Sequence, residues 1–110
     1  SACPLLLMGG ETRTLERGSK IGFHRSSWDS NSMKGFYEDK ETREIYGWKN
    51  EFDFSSWVYD DSQEEIYKQF KYFLERGISP EFVIETMRAR SEEGWYPRRK
   101  ELLEANIITK

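Results

Sequence analysis

The sequence predicts an α/β fold interrupted by a long aromatic-rich insertion. Three observations carry that expectation. A short helix and two short extended candidates, punctuated by turn residues, occupy the first 25 positions, residues 26–61 follow no period, and residues 62–110 return to helical spacing with recognisable caps.

Taken in order, Ala2 to Met8 reads as a short buried helix stopped by Gly9-Gly10. Thr12 to Leu15 alternates enough for a strand, a turn follows at Arg17-Gly18, and Lys20 to His24 (KIGFH) is a second short strand in which Gly22 permits close backbone approach. A structureless loop of 35 residues is unusual in a compact domain. Residues 26–61 are therefore expected to form an ordered insertion, with a hairpin near Ile45 to Tyr59 and a mini-core of its own aromatic rings. Ser62-Gln63-Glu64-Glu65 matches a capping box, ahead of Ile66, Tyr67, Phe70, Phe73 and Leu74 at helical spacing. Gly77 ends that helix. Ser79-Pro80-Glu81 opens another over Pro80–Arg90, with Phe82, Val83, Thr86 and Met87 on one face. After a break at Ser91 to Pro97, with Trp95 packed beneath the turn, a third helix runs from Arg98 to Ala105. Asn106 is its cap, and Ile107 to Thr109 is a closing strand.

Composition excludes several classes of function. The chain has 110 residues, 34% of them charged, with a net charge of −3. Phosphate binding needs a clustered excess of Lys and Arg, so no nucleic acid is expected, and Arg98-Arg99-Lys100 is too small a cluster to change that. No apolar run approaches the roughly 20 residues that span a bilayer. The opening lacks the basic region of a signal peptide. Cys3, the one cysteine, allows no internal disulfide. Nine of the seventeen aromatic residues fall within 28–59. They suit either a peptide-binding surface or a self-contained core, and the second is the favoured reading. Residues 38–44 (EDKETRE) read as a solvated face, and Asp60-Asp61 as partners of a helix N-terminus rather than metal ligands. No cofactor or metal is called for.

Two positions could form a nucleophile and its base. A serine in the first turn of a helix sits where free N–H groups favour a developing oxyanion, and Ser1 is so placed. His24, the sole histidine, ends a strand candidate and would accept the serine proton if the fold brings the two together. Alone, this pair is a weak signal.

The surrounding residues resemble a known family. SACPLLLMGGETRTLERGSKIGFHR is similar to the nucleophile-to-histidine segment of the Clp-protease-like serine peptidases, nearest their periplasmic, ATPase-independent branch within the ClpP/crotonase superfamily. Ser1-Ala2-Cys3 and Gly18 to His24 carry the first part of that resemblance. GISPEFVIETM, Gly94-Trp95-Tyr96-Pro97 and ELLEANIIT carry the second. The resemblance covers residues 1–25 and about 63–110. It implies the C-terminal part of a β-α spiral, with the N-terminal part of that domain lying upstream of Ser1 and this piece inactive by itself. It also implies Ser1 as nucleophile, His24 as base and the Ala2 backbone N–H as one oxyanion donor. Cys3 would have a possible disulfide partner upstream. The substrate would be a peptide or unfolded protein segment met outside the cytoplasm, and the protein could be a homo-oligomer.

Two departures stand out. The insertion after His24 is longer and more aromatic than the family's connection. No Asp occupies the position expected for the orienting acid, so Glu92 and Glu93 are the nearest candidates, with Ser91, Glu85, an acid from the insertion or a Ser-His dyad left open. A non-catalytic binding or scaffold protein is the alternative reading, since the insertion could cover the cleft. Acyl-CoA chemistry of the crotonase type fits less well, because it does not need this Ser-His arrangement.

Overall fold

The computed structural model describes residues 7–90 and 92–110. Among them the chain is helical. Five helices run in order: α1 Ser30–Glu38, α2 Lys40–Tyr46, α3 Glu51–Glu75, α4 Pro80–Thr86 and α5 Arg99–Glu104. One isolated antiparallel bridge joins Phe23 to Trp95, and no sheet forms among the described residues. The expected α/β spiral is thereby overturned. A strand persists only when neighbours complete its ladder, and the three candidates here find too few. Lys20 to His24 contributes the single bridge. Thr12 to Leu15 and Ile107 to Thr109 instead meet through Arg13 and Thr109, without forming strands.

The described residues divide into two compact units: those through Ser26 together with Phe70–Lys110, and Ser27–Gln69. In the second unit, helix starts and stops come from local chemistry. The Asp29 carboxylate accepts from the Ser32 N–H and opens α1. Asp39 closes α1 with its backbone and opens α2 with its side chain, accepting from the N–H and hydroxyl of Thr42. Gly47 ends α2. The long helix α3 then starts eleven residues before the Ser62 box. Asn50 Oδ1 accepts from the Asp53 N–H at 2.9 Å, while Asp53 Oδ2 accepts from the Lys49 N–H at 3.0 Å. This reciprocal cap replaces the expected hairpin and leaves Ser62, Asp60 and Asp61 inside the helix.

Aromatic rings hold this unit together, as expected. Trp48 and Phe54 are buried, with ring centroids 4.7 Å apart and nearly perpendicular. Tyr46 stacks on Trp48 at 4.8 Å, and Trp57, Phe36 and Tyr37 close the cluster. Trp48 Nε1 is buried without a hydrogen-bond partner among the described residues.

The other unit has a core of Met8, Ile21, Phe23, Phe73, Ile78, Phe82, Val83, Leu102, Ala105, Ile107 and Ile108. Its described opening matches expectation in part: Leu7 and Met8 are helical, Gly10 N–H donates to the Leu7 carbonyl, and Ala2 to Leu6 lie outside the described residues. Helix α3 stops as its sequence requires. Gly77, at φ 81°, donates to the Leu74 carbonyl and Ile78 to that of Phe73, so the last carbonyls are satisfied and Ile78 turns into the core. Ser79 and Pro80 open α4, which ends at Thr86 rather than Arg90. The last helix, α5, is capped by Ala105 rather than by the expected Asn106, which lies one residue beyond the cap at φ 68°.

Arg13 is the buried charge of this unit. Its guanidinium donates to the carbonyls of Gly10, Asn106 and Ile107 at 2.7–3.0 Å, and its backbone exchanges hydrogen bonds with Thr109. Carbonyl oxygens stand in for the carboxylate that a buried guanidinium otherwise requires.

Candidate functional site

His24 is fixed by its neighbours on either side in the chain. Phe23 exchanges both backbone hydrogen bonds with Trp95, at 2.8 and 2.7 Å, and the Arg25 N–H donates to the Ala89 carbonyl at 2.8 Å. Successive side chains of an extended segment point to opposite faces. Phe23 enters the core, edge-on to Phe82 at 5.2 Å, so Gly22 and His24 belong to the opposite face. Gly22 does what its lack of a side chain allows. The Tyr96 ring lies against it so closely that an added Cβ would sit 2.7 Å from Cε1.

The segment facing His24 is a turn. Ala89 and Trp95 form the two rungs, and between them the Arg90 carbonyl accepts from the N–H groups of Glu93 and Gly94. Glu92 and Glu93 are therefore carried by the turn paired with the histidine segment, and both are exposed. The sequence-predicted base and both candidate acids come from adjoining segments of one unit. Glu85 lies elsewhere, on α4, beside Arg88. Ser1, Ala2, Cys3 and Ser91 lie outside the described residues.

The imidazole is half-buried, and its Nδ1 lies 2.9 Å from the Arg25 carbonyl. A carbonyl only accepts, so this contact is a hydrogen bond in the Nδ1–H tautomer, in which Nε2 is the nitrogen with the lone pair. This orienting group was invisible to a search for side-chain motifs, because it is a backbone atom whose position depends on the Arg25–Ala89 rung.

On the core side of Trp95 lies an open groove of about 450 Å³, floored by Phe82, Trp95 and Ala105 and edged by Glu81, Glu85, Glu101 and Glu104. Two of these carboxyls are held below the usual glutamate range. Glu81 is lowered by its own backbone N–H and the Ser79 hydroxyl, and Glu101 by the backbone N–H and side chain of Arg98. The expected packing of the Trp95 turn is met in part. Trp95 is half-buried against Phe23 and Phe82, while Pro97 is buried one residue ahead of the Arg98 cap.

Among the described residues, no group of three or more His, Cys, Asp or Glu side chains could hold a metal ion, and no helix is long and apolar enough to cross a membrane. No protein-family model, curated protein or solved structure matches the chain.

Proposed function

We propose that the protein is a serine-type peptidase of the Clp-protease-like kind, cleaving peptides or unfolded protein segments outside the cytoplasm, with Ser1 as nucleophile and His24 as general base. One observation carries the reading: the single histidine of the chain sits with Nδ1 2.9 Å from the Arg25 carbonyl, a contact that suits the Nδ1–H tautomer, on a segment pinned by two backbone rungs. The motifs around Ser1, His24 and Trp95 lend the second support.

In this reaction the Ser1 hydroxyl gives its proton to Nε2 as its oxygen attacks the scissile carbonyl. The tetrahedral oxyanion is held by the Ala2 N–H and a second donor. The imidazolium then protonates the departing amine, and water releases the acyl group by the same relay in reverse. The Arg25 carbonyl keeps the ring oriented by accepting from Nδ1, while a carboxylate of the Arg90–Gly94 turn adds negative potential for the imidazolium.

A serine-directed fluorophosphonate probe, applied to the protein at its full natural length, should label Ser1. Ser1→Ala and His24→Ala should each abolish the labelling. Glu92→Gln or Glu93→Gln should slow it by less, because the carbonyl still orients the ring. Folded full-length protein that takes up no probe overturns the proposal.

A further inference from the structure

The bridge that carries His24 has a second face, turned away from the core. Burial alternates along both of its segments: Ile21 and Phe23 on one and Pro97 on the other are buried, while Gly22 and His24 belong with the exposed Tyr96. Because Phe23 and Trp95 exchange both backbone hydrogen bonds, Gly22 stands opposite Tyr96 and His24 opposite Gly94. His24 and Tyr96 are then diagonal neighbours, about 7–8 Å apart at Cα and within reach of an aromatic side chain. With glycine at the other two positions, these are the two side chains that this face presents at the bridge.

The Tyr96 ring lies across both glycines. A Cβ added at Gly22 would sit 2.7 Å from Cε1 and 2.9 Å from Cζ, and one at Gly94 would sit 3.5 Å from Cε2. The rest of the side chain is in solvent, the residue being 59% exposed. On the core side Phe23, Phe82 and Trp95 pair with one another, whereas Tyr96 stacks on no other ring among the described residues. We propose that Tyr96 determines specificity, its exposed ring receiving an aromatic side chain of the peptide substrate beside His24. The inference rests on the peptidase reading and names the side chain which that site selects. Charge does not make the selection. Lys20 and Arg98 follow at one end of the face, with Arg98 held by Glu101 at 3.1 Å, and the turn at the other end carries Arg90, Glu92 and Glu93. Both signs therefore flank the ring, and stacking on it is left as the discriminating contact.

Peptidyl phosphonate probes, applied to the protein at its full natural length, test it. One probe carries alanine throughout, and the others carry phenylalanine at a single position, taken in turn, before the phosphorus. One phenylalanine probe should label Ser1 about tenfold faster than the alanine probe. Tyr96→Ala should cut that ratio to about twofold or less. Gly22→Ala should do the same, because its methyl group displaces the ring, and Tyr96→Phe should keep the preference. The ratio is taken within each variant, so a purely structural role for Tyr96 would slow both probes and leave it unmoved. Wild-type protein with no phenylalanine preference, or a preference that survives in Tyr96→Ala, overturns the proposal. Failure of the peptidase reading looks different: no probe, the plain fluorophosphonate included, labels Ser1 at all, and this inference falls with it.

Discussion

The two units of this molecule solve the same problem by different means. Residues 27–69 bear eleven acidic residues against five basic ones, and every ring contact of their cluster lies between Trp28 and Trp57. The other unit bears nine acids against twelve bases, and its defining bonds join Arg13 to Asn106, Ile107 and Thr109. One is assembled from neighbours in the chain, the other from segments more than ninety residues apart. Local assembly tolerates high like charge because a few large rings supply the burial. Distant assembly needs directional bonds to fix which segments meet.

The largest test of this contrast is at the centre of the aromatic cluster. Trp48→Ala should cost about 3–5 kcal/mol in denaturant unfolding. Trp48→Phe should stay within about 1.5 kcal/mol of the parent, because it preserves much of the ring while removing an N–H that has no partner. If the two variants are equally unstable, ring packing is not what holds that unit. Arg13→Ala strips donors from three carbonyls and should cost about 2–4 kcal/mol in the same measurement. Arg13→Lys should restore only part, since an ammonium cannot span the three acceptors as a planar fork does.

Smaller effects sharpen the comparison further. Gly77→Ala should destabilise by about 1 kcal/mol, its φ being left-handed, whereas Gly35→Ala, helical and facing open space, should stabilise by about 0.5–1 kcal/mol. The gentlest test is acid. Hydrogen bonds from the Thr42 hydroxyl and N–H lower the Asp39 carboxyl below its ordinary 3.8. A depressed folded value means the stabilisation is present above the unfolded pKa and lost as pH falls through the folded one. Circular dichroism at 222 nm should therefore show a small loss of helix below about pH 4, where free aspartate titrates. Asp39→Asn should remove that step and keep the cap.

What the sequence disclosed follows the same divide. The stop at Gly77 and the start at Ser79-Pro80 were legible because each is settled within a few residues, and Asn106 was legible as a residue at which the last helix stops, one position beyond its actual cap, Ala105. The aromatic mini-core was legible from the crowding of rings within 28–59. The start of α3 was hidden, although Phe54, Trp57, Val58 and Asp61 do recur at helical spacing. Exposed aromatics between them blur that period, and the Ser62 to Glu65 pattern imitates a beginning. The strands failed for a different reason: extended structure is a property of partners, and the Thr12 to Leu15 backbone meets Thr109 and the Arg99 side chain rather than a neighbouring strand. Of the site, the identity of His24 and the two glutamates could be read from residue types. The rungs from Phe23 to Trp95 and from Arg25 to Ala89 could not, since nothing local announces a partner more than sixty residues away.

The Arg13 latch also sets an order of events during synthesis. A ribosome delivers the chain from its N-terminus, so the guanidinium has the Gly10 carbonyl at hand but waits for its other two acceptors until Asn106 and Ile107 emerge from the exit tunnel. All the rings of the aromatic cluster have been released dozens of codons earlier. The nascent polypeptide thus has an interval in which one half of its interior can condense while the other has no lock to close.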